Sequence, residues 1–328
     1  MVPQIKTKLK DMKYVVIVDS MSNIPAHVLK TRGNIKVIPL NTRIADKESL
    51  DLIESEQLLR FYRKNPLKED TKADATSPTA EQMAVFLINE IVPHYDCAIF
   101  QTTSAVLSDV FKNIKSCAET IEKDARAIRK MAGITEPFKL IFSNSGNSSS
   151  GQTLLALYTD ALLSKGAEPE DANKKAEEFK RNIKTYSIIS DILQARSRMK
   201  MVGHKTISMP SAVSGQLRRN TPLVSFCNDD FKVNHFNIGY SRAIKSLFEY
   251  AEQCLENGLQ LPIIYVSYAG RIRELHEMTE FKSLQNKAKQ HGAVVISGMM
   301  SVSACINYST KSISLAIAPK DMSVEPIN

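Results

Sequence analysis

Hydroxyl side chains cluster at four places where a strand-like segment or a loop passes into a helical segment. These places are Asp19-Ser20, Thr76-Ser77-Pro78, Thr102-Thr103-Ser104 and the serine loop from Asn144 to Gly151. In an open α/β sheet the C-terminal ends of the strands meet at one crevice. Hydroxyls and the free amides of helix N-termini can hold an anionic oxygen there without a metal. The pattern therefore predicts an anion pocket built from hydroxyls, and the alternative at each place is a simple helix N-cap.

The standard cofactor and catalytic motifs are absent from the sequence. No GxGxxG follows a strand, and neither GxxxxGK[ST] nor GxSxG occurs. His276-Glu277 with Glu280 lacks the second histidine of HExxH, so we interpret these residues as a charged solvent face. We expect no metal and no cofactor.

The first half of the chain alternates strand-like and helical patterns, which is typical of an α/β domain with a mainly parallel sheet flanked by helices. The predicted strands are Tyr14 to Val18, Ile35 to Leu40, Cys97 to Phe100 and Phe138 to Phe142. Helices are predicted over Thr79 to Ile91, over about Leu107 to Ala132, and after the serine loop. Continuous apolar runs such as Tyr14 to Val18 indicate strands buried on both faces.

The second half also alternates, with more polar connections. The predicted strands are Tyr186 to Ile189, Leu223 to Phe226, Ile263 to Val266, Val294 to Ile296 and Ser312 to Ile317, and the predicted helices are Ser241 to Asn257 and Arg273 to His291. Because the segment around Pro169 is polar, we place a boundary there. The prediction is two α/β domains, residues 1–167 and 168–328.

The composition excludes a disordered, a collagen-like and a coiled-coil protein. With 328 residues, 43% hydrophobic and 24% charged, the chain should fold. The net charge of +8 suggests an anionic partner. However, the basic residues from Lys112 to Lys130, Arg129 among them, alternate with acidic ones as on a solvated helix face. No RNA-binding aromatic motif accompanies them, so we expect no nucleic acid.

The chain is expected to be cytoplasmic. No apolar run approaches the ~18 residues of a membrane span, and the apolar stretch behind the basic N-terminus is too short for a signal peptide. The five scattered cysteines form no CxxC pair and are interpreted as buried free thiols.

Five segments follow one another along the chain in an order that is typical of one family: Asp19-Ser20-Met-Ser22-Asn-Ile-Pro25, Thr76-Ser77-Pro78-Thr79, Ser104-x-x-Leu107-Ser108, Asn144-Ser145-x-x-x-Ser149-x-Gly151, and Leu193 with Arg198-Met199. With these segments the sequence resembles the DegV family, which includes the fatty-acid-binding subunits of bacterial fatty acid kinases. The resemblance covers about residues 14 to 318. It implies one long-chain fatty acid held between two domains, with its carboxylate at Thr76, Ser77, Ser104 and Arg198 and with Ser149 nearby.

Two differences from the family bear on its partners. Asp109 and Val110 replace the Gly-Thr of the Leu-Ser-Gly-Thr motif. The stretch from Gly298 to Ser303 contains no histidine where kinase-type members carry His-x-Gly-Pro-Gly. We therefore expect fatty-acid binding without catalysis. The resemblance also implies presentation to a kinase subunit, for which the histidine element is missing here, and the net charge suggests transient contact with a membrane surface. The alternative is a metal-free hydrolase or phosphotransferase acting on a small anion in the same crevice, with Asp19 beside Ser20 as its reactive pair.

Overall fold

A computed structural model describes residues 13–65, 67, 71–191 and 220–326. It contains the two predicted α/β domains, each built on its own sheet. In the first domain, four parallel strands lie in the order β2-β1-β6-β7. They are β1 (Tyr14–Asp19), β2 (Ile35–Ile38), β6 (Cys97–Thr102) and β7 (Lys139–Asn144). All four predicted strands of the first half are present.

Helices cover both faces of this parallel sheet, which explains why β1 and β6 are buried along almost their whole length. The helices of the first half are α1 (Ala26–Arg32), α2 (Ser55–Lys64), α3 (Ala80–Phe86), α4 (Val110–Ser116), α5 (Ala118–Met131), α6 (Ser150–Ser164) and α7 (Pro169–Phe179). A π-helical turn, Leu87–Ile91, continues α3. Two short 3-10 helices are Ser20–Ser22 and Lys180–Asn182.

A small antiparallel sheet, β4-β3-β5, branches from this domain and was not predicted from the sequence. Its strands are β3 (Asn41–Ile44), β4 (Lys47–Leu50) and β5 (Ala73–Thr76). They are four residues long, and β4 is fully exposed, so the segment carries no apolar periodicity for a prediction to detect.

The second domain contains a six-stranded mixed sheet in the order β10-β9-β8-β13-β11-β12. The strands are β8 (Lys184–Ile188), β9 (Asn220–Cys227), β10 (Asp230–Ile238), β11 (Ile263–Tyr268), β12 (Val294–Met299) and β13 (Ile313–Ile317). Only β11 and β12 pair in parallel, and the other neighbours are antiparallel. The helices are α8 (Tyr240–Glu256), α9 (Ile272–Glu277), α10 (Thr279–Gln290) and α11 (Val302–Tyr308).

Helix α6 joins the two sheets, because it packs on β1 and also on β11 and β13. It is buried around most of its circumference, unlike an ordinary amphipathic surface helix. Helix α7 packs on α6 and β7, and the second sheet begins at Lys184. The division at residue 167 stays a prediction.

Two predicted long helices are each broken once. The segment after Leu107 is interrupted at Cys117, whose thiol donates to the Ile114 carbonyl, 3.3 Å away. The segment after Arg273 is interrupted at Met278, which adopts an extended conformation. The helix after each break packs its apolar face on the core, with Ile121 and Phe281 fully buried.

Arg129 is not on a solvated helix face, contrary to the prediction. Its side chain is 3% exposed and its guanidinium donates to the carbonyls of Val92, Tyr95 and Glu136 and to the Asp96 carboxylate. The alternating charges around Arg129 predicted an exposed side chain. They do not reveal that a single arginine turns inward, where it donates hydrogen bonds to buried loop carbonyls at a helix end.

Among the described residues, no helix is both long enough and apolar enough to cross a membrane.

Candidate functional site

The carboxyl ends of β1 and β6 lie side by side, as predicted, and Asp19 ties them together. Its carboxylate accepts hydrogen bonds from the Thr103 amide (2.6 Å), the Thr103 hydroxyl (2.7 Å) and the Gln152 side chain (3.1 Å). Asp19 is completely buried, and this burial raises its pKa above the ordinary value. Asp19 is therefore a structural anchor for the strand ends.

A second buried carboxylate, Asp51, links the two domains. It accepts from the Ser20 hydroxyl (2.6 Å), from the Ser303 amide (3.1 Å) and from the Ser303 hydroxyl. Burial also raises the pKa of this carboxyl. Ser20 donates to Asp51 and not to the adjacent Asp19. The Ser20 hydroxyl, which the alternative hydrolase or phosphotransferase would pair with Asp19, therefore takes part in a contact between the domains.

Between the domains lies a small cavity, which we call the narrow cavity, with about 60 Å³ of free space. Its lining comes from both domains and is mainly apolar: Met21, Leu40, Ala75, Leu107, Ile189, Val224, Phe226 and Phe231, with the polar side chains Ser77, Thr103, Ser108, Ser148, Ser187, Asn307 and Tyr308. No charged residue belongs to this set, as far as the described part of the chain extends. The walls thus suit an apolar ligand that carries one hydrogen-bonding group.

Two hydroxyl pairs lie in the lining of the narrow cavity. The Ser77 and Ser108 hydroxyls are 3.0 Å apart, and the Tyr308 hydroxyl donates to that of Ser148 at 3.3 Å. Burial raises the pKa of Tyr308, so the phenol stays a neutral donor. These hydroxyls can turn toward a ligand oxygen without breaking a secondary structure.

Ser77 is free for this role because a neighbour caps the helix. Thr79 is the N-cap of α3: its hydroxyl accepts from the Gln82 amide (3.2 Å), and the Gln82 side chain accepts from the Thr79 amide (2.9 Å). The alternative interpretation of Ser77 as a helix cap is therefore wrong. Thr76, the last residue of β5, is exposed and does not line the narrow cavity.

Ser104 is fully buried beside the narrow cavity, and its hydroxyl already has a partner within the chain. It donates to Asp229, which lies on the turn between β9 and β10 and also accepts from Asn144 at 3.0 Å. Asn228 and Asp229 both have positive φ, 52° and 65°, as a tight hairpin requires. The tip of the β9–β10 hairpin is thus attached to the strand ends of the first domain.

Ser149 is likewise buried and bonded within the chain. It precedes α6 with φ 53°, and its side chain makes no capping bond. Instead its hydroxyl accepts from the Asn23 side chain (2.9 Å) and pairs with the Ser267 hydroxyl (3.1 Å). The contacts of Ser104 and Ser149 with a ligand stay predictions, and Arg198 lies outside the described residues.

The stretch that replaces the family histidine element has structural roles. Ser301 caps α11 by accepting from the Ala304 amide (3.2 Å), Ser303 bonds Asp51, and Met300 is fully buried. The ring of His276 lies 2.9 Å from the Ser297 hydroxyl, and partial burial lowers the pKa of this histidine. It does not line the narrow cavity.

Most polar residues that line the narrow cavity were not predicted as site residues, among them Ser108, Ser148 and Tyr308. Ser108 had a signal, because it directly follows Leu107 in a segment that resembles the family motif. Ser148 had the same kind of signal, because it belongs to the serine loop. Tyr308 had none: it is 160 residues from Ser148 and becomes its neighbour only when the domains pack.

The fold and this cavity define a class: a two-domain α/β protein with an enclosed, hydroxyl-bearing and otherwise apolar cavity between its domains. The sequence model described as an uncharacterised protein of the DegV family matches residues 13–320. The chain belongs to the DegV family.

Relatives and solved structures are similar over nearly the whole chain. A DegV domain-containing protein of Xanthomonas axonopodis pv. citri is 24% identical over 307 residues, covering 94% of this chain and 98% of the relative. A Thermotoga maritima protein, described as having a fatty-acid-binding function, superposes with a TM-score of 0.67 at 17% identity, covering 94% and 99% of the two chains. A stearic-acid-binding protein of Eubacterium ventriosum gives a TM-score of 0.73 at 14% identity, covering 94% and 98%.

Proposed function

We propose that this protein binds one long-chain fatty acid in the narrow cavity and has no catalytic activity of its own. The observation that carries the proposal is the lining itself, in which apolar walls from both domains enclose the Ser77–Ser108 hydroxyl pair. Solved relatives described as fatty-acid-binding proteins share the fold and support it.

Affinity in such a site comes mainly from the acyl chain. Burying it is worth about 0.8 kcal/mol per CH₂ group. The carboxylate then needs only donors that offset the loss of its hydration. Ser77 and Ser108 supply two hydroxyls, Tyr308 supplies a phenol, and Arg198 is the proposed cation that gives charge-assisted bonds.

The cavity must widen to accept an acyl chain, because 60 Å³ is far below the several hundred Å³ (~300 Å³ or more) of typical ligand pockets. Val224, Phe226 and Phe231 form one wall and belong to the β9–β10 hairpin. We propose that this hairpin moves outward. Its turn would then carry Asp229 away from Ser104, leaving that hydroxyl for the ligand carboxylate.

The contact between Asp229 and Ser104 sets a condition on the proposed role of Ser104. A ligand carboxylate and the Asp229 carboxylate would compete for the same hydroxyl, and two like charges at that distance repel. Thr76, exposed at the end of β5, and Ser149, held by Asn23, are weaker ligand candidates than Ser77.

Partners of the loaded protein are a further part of the proposal. A kinase subunit that phosphorylates the bound acid is proposed from the family alone, and the absence of the histidine element argues for a changed partner or none. Transient contact with an anionic membrane surface would fit the net charge of +8 and the exposed Val106 beside the cavity residue Leu107.

The proposal is tested by extracting the purified protein with organic solvent and measuring bound fatty acid by mass spectrometry. We expect close to one fatty acid per chain. Leu107→Trp, which places a large ring in the narrow cavity, should abolish retention, while Met131→Trp on the surface should not. Equal retention by both variants, or no lipid in extracts and no binding of added palmitate, would refute the proposal.

A further inference from the structure

A second and larger cavity, which we call the large cleft, lies on the other side of the 3-10 helix Ser20–Ser22. Met21 lines the narrow cavity, whereas Ser20 and Ser22 line the large cleft. The cleft has a volume of about 650 Å³ and is bounded by α1, the segment from 52 to 58, and the edge strand β12. This volume is that of a small-molecule site.

The lining of the large cleft has a distinct chemistry. Its walls are aliphatic, with Val28, Ile53, Leu157 and Val295 among them. Within the described part of the chain, no Phe, Tyr, Asp or Glu lines it, and its titratable side chains are His27, Arg32 and His276. No Phe or Tyr ring of the described residues is available there for stacking, and Arg32, whose guanidinium has donors beyond its bond to Asp160, favours an anion.

Arg32 is held in place by a buried carboxylate. Its Nη1 donates to Asp160 at 3.2 Å, and the Asp160 side chain is only 1% exposed whereas that of Arg32 is 37% exposed. The remaining guanidinium donors have no protein partner among the residues described. Such an arginine is positioned in advance and still has donors for a carboxylate.

Ser22 adds a second polar group to the large cleft. Its side chain is fully buried, and its hydroxyl has no hydrogen-bond partner in the part of the chain that the structure describes. A buried hydroxyl without a partner costs stability, so a bound ligand or water that supplied one would be stabilised.

We propose that the large cleft is a second binding site, for an aliphatic carboxylate whose charged group meets Arg32 and whose chain lies on the aliphatic walls. This site is independent of the narrow cavity. The protein would then hold two aliphatic acids at once, on opposite sides of one 3-10 turn.

The test is a titration of the full chain with decanoate labelled with ¹³C at its carboxyl carbon, followed by NMR. Each site gives its own bound carboxyl resonance. Ile53→Trp fills the large cleft and should remove one resonance, while Leu107→Trp fills the narrow cavity and should remove the other. Decanol, which lacks the charge, should not displace the cleft resonance at equal concentration.

A matched pair of charge changes tests the anion preference. Thr31→Glu adds a negative charge in the lining of the large cleft and should weaken decanoate binding there about fivefold. Lys30→Gln changes the charge by the same amount on the same helix but outside the lining and should leave affinity unchanged.

The two proposals fail separately. A resonance that survives Leu107→Trp and disappears in Ile53→Trp supports the cleft site, even if the narrow cavity binds nothing. A single resonance that only Leu107→Trp removes overturns the cleft site and keeps the proposed function. Equal effects of Thr31→Glu and Lys30→Gln would also overturn the role of charge in the cleft. Circular dichroism and a thermal unfolding curve of each variant, recorded without ligand, show that it is folded.

Discussion

The sharpest prediction concerns Ser77, because the structure separates its proposed role from helix capping. Ser77→Ala removes a hydroxyl that lines the narrow cavity and lies 3.0 Å from Ser108. The α3 cap is left intact, since Thr79 and Gln82 form it. We therefore expect weaker fatty-acid binding with almost no change in stability.

The magnitude follows from the bond that is lost. A hydrogen bond to a charged group contributes about 1.5–3 kcal/mol, which corresponds to a roughly 10- to 150-fold rise in Kd. The Ser108 hydroxyl can partly replace the missing donor, so the lower half of this range is expected. Because Ser77 is only partly buried, loss of the neutral Ser77–Ser108 bond should cost the unliganded protein no more than about 0.5 kcal/mol, which is less than the loss of the α3 cap.

Thr79→Ala is the matched control. It removes the cap of α3 and should cost about 1 kcal/mol of unfolding free energy, while palmitate affinity stays normal. Affinity is measured by calorimetric titration and stability by chemical denaturation without lipid. If Ser77→Ala lowered stability as much as Thr79→Ala and bound palmitate normally, the assignment of Ser77 to the ligand would be refuted.

Four other outcomes follow from the described contacts. Burial raises the pKa of Asp51 above its ordinary 3.8, so the stability that this carboxyl contributes is full below pH 3.8 and is lost as the pH rises through its folded pKa. Denaturation at several pH values should show that Asp51→Asn removes this decline, whereas the exposed Asp46→Asn does not; parallel pH profiles would contradict it. Arg129→Met should lower the unfolding free energy by roughly 3 kcal/mol, because it leaves buried loop carbonyls and a carboxylate without their donor. Arg126→Met, on the exposed side of the same helix, should lower it very little. Equal losses in the two variants would argue against the role of Arg129 as a buried donor. Tyr308→Phe should raise the Kd for palmitate by about five- to tenfold through loss of a phenol donor, and an unchanged Kd would remove the phenol from the site. Palmitate affinity should vary little between pH 6 and 8, since no histidine of the described residues lines the narrow cavity; a clear loss of affinity on raising the pH through about 6.5 would place a titrating group there.

The strands and most helices of this protein were determined locally. The segments from Tyr14 to Val18 and from Cys97 to Phe100 are continuous apolar runs, which are typical of strands buried on both faces, so their position in a parallel sheet followed from the sequence. The hydroxyl-bearing segments after these strands also followed, because strand ends of one parallel sheet share an edge.

The partners of those hydroxyls were decided by the tertiary structure. Ser104 and Ser149 look like ligand groups in the sequence, yet they bond Asp229 and Ser267, which lie 125 and 118 residues further along the chain. No local pattern encodes such a contact, since it exists only when the second domain packs on the first.

In the segment from Ser77 to Thr79, local sequence determined one feature and tertiary structure another. The sequence placed a hydroxyl before a helix, and both Ser77 and Thr79 could have capped it. Thr79 is the residue that caps the helix, because Gln82 lies three residues after it and completes a capping box. That Ser77 also faces a cavity shared with Tyr308 depends on α11, which lies more than 200 residues away and reaches the cavity only through packing of the two domains.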